Sequence, residues 1–467
     1  MTEATDPLRA WIEEHRDQMV EALRGVLRIP SVQEPASGPG APFGGPVREA
    51  LDYTLALCER LGFRTRDVEG YAGHAEFGEG AEMVAALGHL DVVPEGSGWT
   101  RPPYGAEIAD GAIYARGAAD DKGPTYAALF GAKALMESGL PLRRRVRVIF
   151  GLNEESGFAC VRHYWGPAGE ERPVLAFTPD AEFPLVYAEK GIVNLTLRHE
   201  RAPAGDGLRV AELYGGLRPN MVPDRALARL TGSPQALYAA TATLAGWWHR
   251  HVTVTPTEDA IEVRAVGRSA HGSLPHDGDN AVVRLARALE RLSLPDDRPW
   301  IEWFVRTGDP AGSGLGIEGC DDVVGALTSN LGLARVDADA VTATYNVRYP
   351  VRWSGAEVLQ RLAPTLTGSD WSLAASTDSP PLHAPLDEEP ARTLLDVYRR
   401  LTGDTESLPQ TMGGGTYARA TPHAVAFGAA FPGGADGPPH EPDERLSIES
   451  YIRAAVIYAH ALHELAR

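Results

Sequence analysis

The chain has 467 residues, of which 43% are hydrophobic and 23% charged, a composition typical of a globular protein with two or three domains. Its 63 acidic and 44 basic side chains give a formal net charge of -19, which disfavours binding to phosphate backbones or anionic membranes and argues against a nucleic-acid partner. No apolar leader follows the first methionine and no apolar run could span a membrane, so we expect a cytoplasmic protein. The widely spaced Cys58, Cys160 and Cys320 predict buried thiols without a disulfide framework.

Two helices are predicted before the first strand. Asp6 followed by Pro7 is typical of a helix start, and apolar residues at helical spacing predict one amphipathic helix over 8–27. The segment 33–46 is rich in Pro, Gly and Ser and predicts a loop. A second helical pattern follows over 47–61 and ends at a glycine.

A histidine and an aspartate stand where the first buried strand ends. The apolar run 83–87 predicts this strand and Pro94 stops it, so His89 and Asp91 emerge into a loop. Residues two apart on a strand point the same way, so Asp91 could accept one ring N–H of His89 and leave the other nitrogen available to a metal. Because a single His-x-Asp is more often an ordinary hydrogen-bonded pair, the metal hypothesis depends on the residues that follow.

Further carboxylates stand at the start of a helix and at the ends of strands. They are Asp120 and Asp121 before the helical run 125–136, Glu154 and Glu155 after the strand 146–152, and Asp180 after the strand 174–177. Ligands of open α/β sheets bind outside the carboxyl ends of the strands, so we expect one edge of the sheet to collect these groups. His89 with the four carboxylates of Asp120, Glu154, Glu155 and Asp180 would form a like-charge cluster that needs cations. The sequence therefore predicts a pair of divalent metal ions, with zinc expected and manganese or cobalt as alternatives.

A second histidine ligand is expected at His440, in a loop that prolines make stiff. His15, His460 and His463 lie in predicted helices and are expected to be surface or packing residues. The glycine-rich run 410–419 has no G-x-G-x-x-G pattern and no Lys-Ser or Lys-Thr after it. A phosphate cradle, and with it a nucleotide-binding α/β protein, is therefore rejected.

The middle of the chain differs from both ends. It has strand and helix patterns, such as 260–266, 280–292 and 341–349, but no further clustered acids at strand ends. We predict an α/β fold with an open mixed sheet and helices on both faces. The catalytic domain would comprise 1–190 and 385–467, with an inserted α+β lid or substrate domain over 191–384. Within this lid, Trp247-Trp248 is expected to be packing.

Five segments are similar, in order and spacing, to signatures of the M20 family of dinuclear metallopeptidases, and especially to its PepV-like bacterial dipeptidases. They are 88–94, 116–124, 153–157, 177–184 and His440. The resemblance runs almost end to end and implies a zinc-exopeptidase-like catalytic domain. It implies that Asp120 bridges two metals, that His89 and Asp180 complete one site, that Glu155 and His440 complete the other, and that Glu154 is the general base. The residues alone leave open which of the two adjacent glutamates binds metal, because they are chemically identical neighbours.

Three lid segments also resemble those dipeptidases. The resemblance implies that Asn220 and His271 donate to the oxyanion and that Arg348 holds the substrate carboxylate, work that suits neutral donors and a guanidinium fork. The glycine-rich run resembles the family's substrate loop, with expected substrate contacts at Gly414, Gly415, Thr416 and Tyr417. The family also implies a cis peptide bond between Asp120 and Asp121, and a lid of this length favours a monomer.

The predicted function is hydrolysis of the amide bond of dipeptides by a water that two metals activate. An N-acyl amino acid deacylase or a carboxypeptidase of the same family would share the metal site and differ only in the pocket. A catalytically silent binding protein on a peptidase scaffold is the alternative from another class. The intact Glu154 and the full ligand set count against that last alternative.

Overall fold

The chain forms two compact units, and the computed structural model describes residues 6–202, 205, 207–246, 251–434 and 436–467. The first unit comprises 1–188, 383–411 and 415–467, and the second comprises 189–382 and 412–414. The expected packing pair Trp247-Trp248 lies outside the described residues. Within the described ranges, none of the helices is both long and apolar enough to cross a membrane.

The first unit opens with helices and then alternates strands with helices. Its helices up to residue 189 are α1 (Pro7–Glu14), α2 (Arg16–Leu27), α3 (Gly45–Arg60), α4 (Lys122–Ser138) and α5 (Ala159–Trp165). Its strands over the same stretch are β1 (Arg64–Val68), β2 (Ala72–Phe77), β3 (Met83–His89), β4 (Glu107–Ala109), β5 (Ala112–Tyr114), β6 (Arg145–Gly151), β7 (Leu175–Thr178), β8 (Ala181–Glu182) and β9 (Val186–Glu189).

The second unit is rich in strands. They are β10 (Gly191–Glu200), β11 (Arg209–Gly215), β12 (Arg225–Thr231), β13 (Val252–Pro256), β14 (Ile261–Val266), β15 (Cys320–Asp321), β16 (Gly325–Ala326), β17 (Thr328–Val336), β18 (Ala340–Tyr349) and β19 (Trp371–Ser379). Its α-helices are α6 (Pro234–Gly246), α7 (Ala281–Leu289), α8 (Arg298–Thr307) and α9 (Gly355–Thr367). The chain then returns to the first unit through β20 (Leu382–His383), α10 (Ala391–Thr402), β21 (Gln410–Met412), β22 (Ala424–Ala426), β23 (Ala429–Ala430), β24 (Arg445–Ser447) and α11 (Ile448–Ala466).

The predicted opening helix is divided in two at His15. Asp6 caps α1 as predicted, accepting hydrogen bonds from the backbone N–H groups of Leu8 and Arg9. His15 leaves the helical conformation at φ -101° and ψ 12°, and its ring stacks on Trp11 with centroids 3.9 Å apart. Its Nδ1 lies 2.8 Å from the carbonyl oxygen of Trp11, so the imidazole competes locally with the backbone for that acceptor.

The sheet of the first unit is open and mixed, as predicted. Its strand order is β1-β2-β6-β3-β7-β22-β9-β20, with β21 beside β9. The strands β6, β3, β7 and β22 run parallel, and the pairs β1-β2, β2-β6 and β22-β9 are antiparallel. Consecutive residues of β2 show that helices cover both faces. Gly73 faces Leu51 and Leu55 of α3, whereas His74 contacts the Tyr164 hydroxyl of α5 at 2.7 Å.

The second unit is built on an antiparallel sheet of order β13-β14-β12-β11-β17-β18-β10-β19. Alternate residues of β10, such as Val193 and Leu195, are buried in a core that also contains Trp300 of α8. The patterns predicted over 260–266, 280–292 and 341–349 correspond to β14, α7 and β18. The role of this unit as a lid stays a prediction.

The three cysteines do not share one environment. Cys58 and Cys160 are buried thiols, as predicted. The prediction was wrong for Cys320, which is exposed. It lies in β15, a two-residue strand paired only with the two-residue β16, and so short a ribbon has no core to bury its side chains.

Candidate metal centre

Three neighbouring strands of the first unit end beside the candidate ligands. β3 pairs in parallel with β6, which places His89 opposite Gly151, and it pairs in parallel with β7 on its other side. Glu154 and Glu155 follow β6, and Asp180 follows β7. The carboxyl ends of these parallel strands therefore bring a histidine and three carboxylates to one edge of the sheet, where the sequence predicted them.

Asp120 joins the two histidines. Its Oδ1 lies 3.1 Å from Nε2 of His89, and its Oδ2 lies 3.0 Å from Nε2 of His440. His89 is fully buried, whereas His440 is half exposed in its loop. The peptide bond between Asp120 and Asp121 is cis, as the resemblance implied. Each oxygen of one carboxylate thus contacts a different imidazole.

The ligand atoms form two groups that share Asp120. In the first, Asp180 Oδ2 lies 3.9 Å from Nε2 of His89, and in the second, Glu155 Oε1 lies 3.0 Å from Nε2 of His440. Within each group the three candidate ligand atoms lie within 4.8 Å of one another. Glu154 belongs to neither of these two groups of described residues. The adjacent glutamates, which the sequence could not tell apart, therefore occupy different positions.

Burial and mutual repulsion shift the titration of the clustered acids. Burial, followed by the charge of Asp120, raises the pKa of Asp180 and of Glu155. Burial also raises the pKa of Glu154, and the neighbouring carboxylates add to that shift. For Asp120 the hydrogen bonds from the two imidazoles outweigh burial and hold the pKa below its usual value. Hydrogen bonds to Asp120 and Glu155 raise the pKa of His440 to about 11 against the effect of burial.

These shifts have one common origin. A buried set of carboxylates cannot remain ionised together unless positive charge compensates it. Protons on the imidazoles add positive charge and protons on the carboxylates remove negative charge, and divalent cations could replace those protons. Imidazole nitrogens and carboxylate oxygens are ligands of zinc, manganese and cobalt, so the residues present fit two divalent ions.

Asp91 contacts three residues of the cluster. It is buried, and its carboxylate accepts the backbone N–H groups of Glu154 at 3.1 Å and Glu155 at 3.2 Å. Its Oδ1 lies 3.5 Å from Nδ1 of His89, and its own carbonyl oxygen lies closer to that nitrogen, at 2.9 Å. Asp91 therefore lies beside the His89 ring as predicted. It also fixes the backbone of both glutamates, a contact that the sequence did not reveal.

A buried ion pair links the Asp120 loop to the His440 loop. Arg116 donates to Glu444 at 2.5 Å, and both side chains are at most 1% exposed. The other carboxylate oxygen of Glu444 accepts the backbone N–H groups of Ala119 at 2.9 Å and Asp120 at 3.2 Å. Sequence reasoning missed this pair, although Arg116 stands inside the segment 116–124. Glu444 thus holds the backbone of the shared carboxylate from four residues beyond His440.

We expect Glu444→Gln to destabilise the first unit strongly. The change leaves the Arg116 guanidinium buried without its counter-charge, and breaking a buried pair in this way costs about 3–5 kcal/mol. Urea unfolding measures the loss. Glu21→Gln is the matched control, because Glu21 is 61% exposed in its pair with Arg24 and should cost less than about 1 kcal/mol. Equal losses in the two variants would contradict this account of the pair.

The predicted substrate loop is divided between the units. Gly414 belongs to the second unit, whereas Gly415, Thr416 and Tyr417 belong to the first. Tyr417 is fully buried, its ring meets the His89 ring edge-on with centroids 6.2 Å apart, and its hydroxyl contacts Cys160 at 2.9 Å. Tyr417 therefore packs against the cluster from inside the core.

The predicted oxyanion donors lie on two adjoining loops of the second unit. Met221 and His271 form an antiparallel bridge, and the backbone N–H of Gly272 donates to the carbonyl of Asn220 at 2.7 Å. The Nδ1 of His271 lies 2.6 Å from the Ser273 hydroxyl. The structure thus brings Asn220 and His271 together.

Arg348 is held firmly in β18. Its side chain is almost fully buried, Nε donates to Asn346 Oδ1 at 2.8 Å, and Nη1 donates to the carbonyl of Gly413 at 2.9 Å. The loop that contains Gly414 is therefore tied to Arg348 within the second unit. These contacts fix the orientation of the guanidinium, for which the family resemblance implies binding of the substrate carboxylate.

Comparison with known proteins identifies similar chains along the whole length. The profile of Peptidase family M20/M25/M40 matches residues 85–464. The Bacillus subtilis (strain 168) protein named "Putative dipeptidase YtjP" is 38% identical over 466 residues, covering 97% of this chain and 98% of that protein. A solved structure of the dipeptidase Dug1p from Saccharomyces cerevisiae has a TM-score of 0.57 at 15% identity, covering 100% of this chain and 99% of that one. The Bacillus subtilis YXEP protein, described as a dinuclear metal binding peptidase from the M20 family, has a TM-score of 0.50 at 13% identity and covers 97% of this chain and 99% of its own.

Proposed function

The chain belongs to peptidase family M20/M25/M40, and from this premise we propose that it hydrolyses the amide bond of dipeptides at a centre of two divalent metal ions. The observation that carries the proposal is the pair of ligand groups that share Asp120, with Glu154, the sequence neighbour of Glu155, part of neither. A dipeptidase name on a relative of 38% identity over nearly the full chain supports dipeptides as the substrate class.

We assign His89, Asp120 and Asp180 to one ion and Asp120, Glu155 and His440 to the other. Zinc is the expected metal, and manganese or cobalt would accept the same ligands. Two bound ions would polarise the scissile carbonyl and lower the pKa of a water. The two short contacts of Asp120 to the imidazoles support its role as the shared ligand.

Glu154 is the proposed general base. Its backbone is fixed by the hydrogen bond to Asp91, yet its carboxylate stands outside both ligand groups and so remains available to a proton. A positioned carboxylate can take a proton from the attacking water and later pass it to the leaving amine. Glu155 has the same chemistry, but its contact with His440 supports its assignment as a metal ligand.

The substrate would be held by residues of the second unit and of the glycine-rich run. Asn220 and His271 are proposed to donate to the oxyanion, and Arg348 to bind the substrate carboxylate. Gly414, Gly415 and Thr416 would offer backbone close to the substrate, since glycine permits such an approach. Tyr417 would support the position of His89 through the ring contact.

We expect Asp91→Ala to weaken metal binding by roughly 10–100-fold, because it removes the carboxylate that lies beside the His89 ring and fixes the backbone of Glu155. Competition with a chromogenic chelator measures the affinity. The matched control is Asp67→Ala, an aspartate of the same unit that pairs with Arg48 at the surface. Unchanged metal affinity in Asp91→Ala would refute the supporting role.

The experiment that tests the proposed function compares amino-acid release from free dipeptides and from the matched N-acetyl amino acids, with protein reconstituted in zinc or manganese. Faster cleavage of dipeptides is the predicted result. Preference for the acetylated set would move the assignment to a deacylase of the same family. Hydrolysis of neither set would favour a binding protein on a peptidase scaffold.

The monomeric state stays a prediction. It follows from the length of the inserted unit, which would let His271 act within its own chain. Sedimentation velocity of the purified chain tests it, and an obligate dimer would overturn it.

A further inference from the structure

A row of polar side chains crosses four neighbouring strands of the second unit. Asn330 of β17 lies directly opposite Asn346 of β18, which lies opposite Asn194 of β10, which lies opposite Thr377 of β19. Leu331, the next residue of β17, belongs to the hydrophobic core, so the row lies on the other face of the sheet. Asparagine is depleted in strands, and three in one row therefore need a specific reason.

Asn330 holds the loop of a proposed oxyanion donor. Its side chain is only 2% exposed, and Nδ2 donates to the carbonyl oxygens of Pro219 and Met221, both at 2.8 Å. A carbonyl oxygen can only accept, so these two contacts fix the orientation of the amide. Pro219 and Met221 stand on either side of Asn220. A single buried side chain thus fixes the backbone on both sides of that residue.

The same loop lies directly against the backbone of β17. A Cβ added to Gly332 would lie 2.2 Å from the carbonyl oxygen of Pro219, a distance at which one of the two must move. The pairing of β17 with β18 is irregular at this point, between Leu331 and Leu333. Glycine permits the close approach of the two backbones, so β17 sets the position of the Asn220 loop at two neighbouring places.

Asn346 orients the guanidinium of Arg348, two residues further along the same strand. It is also 2% exposed, and its Oδ1 accepts from Nε of Arg348 at 2.8 Å. Its Nδ2 donates to Oδ1 of Asn194 at 2.7 Å, and Nδ2 of Asn194 donates to Oγ1 of Thr377 at 3.2 Å. Because a guanidinium can only donate, Arg348 sets the direction of every hydrogen bond in this chain.

We propose that Asn330 and Asn346 are positioning residues for the reaction: Asn330 places Asn220 for the oxyanion, and Asn346 orients Arg348 for the substrate carboxylate. The inference rests on the proposed function and adds residues to the same site. An oxyanion exists only in the transition state, whereas the substrate carboxylate is held equally before and during the reaction. The two asparagines, although adjacent in the sheet, therefore act on different kinetic constants.

Replacing Asn330 with alanine should lower kcat by about 10–100-fold and leave KM within about twofold, because a displaced oxyanion donor is felt only in the transition state. Steady-state hydrolysis of L-alanyl-L-alanine by the full metal-loaded chain measures both constants. Gly332→Ala displaces the same loop while Asn330 stays in place, and it should lower kcat in the same way. This second variant carries the test if Asn330→Ala does not fold.

Replacing Asn346 with alanine should instead raise KM by about tenfold, the loss expected for one hydrogen bond to a charged group, with kcat unchanged. Thr344→Val is the matched control. Thr344 lies two residues before Asn346 on the same face of β18, and its hydroxyl contacts that of Thr196 at 3.2 Å. The control should keep both constants of the wild type.

Double-mutant cycles separate positioning from a general loss of structure. In an Asn220→Ala protein, adding Asn330→Ala should change kcat by less than about twofold, since a residue that acts through another has no effect once the other is gone. In an Arg348→Met protein, adding Asn346→Ala should likewise change kcat/KM by less than about twofold. Metal content and urea unfolding of every variant accompany the kinetics.

Three results would overturn the inference. The first is an active wild type whose Asn330→Ala and Asn346→Ala variants change the same kinetic constant or neither. The second is an additive effect in either cycle, which would assign the asparagines to stability alone. Both of these results leave the proposed function intact. The third is a wild type that hydrolyses no dipeptide, which would overturn the proposed function and this inference with it.

Discussion

Replacing Glu154 with glutamine should lower kcat for dipeptide hydrolysis by about 10²–10⁴-fold while both metal sites still fill. The substitution keeps the shape of the side chain and the backbone bond to Asp91, and it removes only the carboxylate that takes the proton. Since Glu154 belongs to neither ligand group, the metal content of the variant should equal that of the wild type. Steady-state kinetics and metal analysis of the same preparation give both values.

Glu155→Gln is the control that separates the two adjacent glutamates. It removes a carboxylate in contact with His440, so we expect fewer bound ions per chain as well as lower activity. Near-normal turnover in Glu154→Gln would contradict the mechanism. Loss of metal in Glu154→Gln with retention in Glu155→Gln would show that the roles are reversed.

Replacing Asp120 with asparagine should damage both metal sites at once. Each of its oxygens contacts a different histidine, at 3.1 Å and 3.0 Å, so no other single carboxylate is shared in this way by the described ligand groups. Losing a residue that only supports a metal ligand lowers metal affinity by roughly 10–100-fold. Asp120 is itself a proposed ligand, so we expect the affinity for both ions to fall by more than that and activity to be lost. Titration of the metal-free variant with zinc measures the affinity for each ion.

Asp180→Asn is the comparison for Asp120→Asn. Asp180 belongs only to the group that contains His89, so its loss should weaken one ion and spare the other. A variant of Asp120 that still bound one ion with wild-type affinity would contradict the shared-ligand assignment. Such a result would leave the two ligand groups independent of each other.

The candidate centre could be predicted because its residues follow a rule of sheet topology. His89, Glu155 and Asp180 each stand just beyond a short apolar run, and parallel strands bring such positions to one edge. The open mixed sheet was predictable for the same reason. The split between Glu154 and Glu155 was not predictable from the residues, because it depends on how Asp91 fixes the loop after β6.

Features that depend on contacts between distant segments could not be predicted. Arg116 and Glu444 form one buried pair although 328 positions separate them. A cavity of about 800 Å³ within the second unit is lined by residues from Val222 to Leu331 that carry no common motif. The break at His15 is local, but it too depends on a contact that helical periodicity does not record, the stacking of the His15 ring on Trp11. In each case packing decided the outcome.

The central claim is that two ions at the shared centre support dipeptide hydrolysis. The most direct measurement is the rate of L-alanyl-L-alanine hydrolysis as metal-free protein is titrated with zinc or manganese. The account predicts negligible activity without metal and a rate that rises until two ions are bound per chain. Full activity in the metal-free protein, or a plateau at one ion per chain, would contradict it.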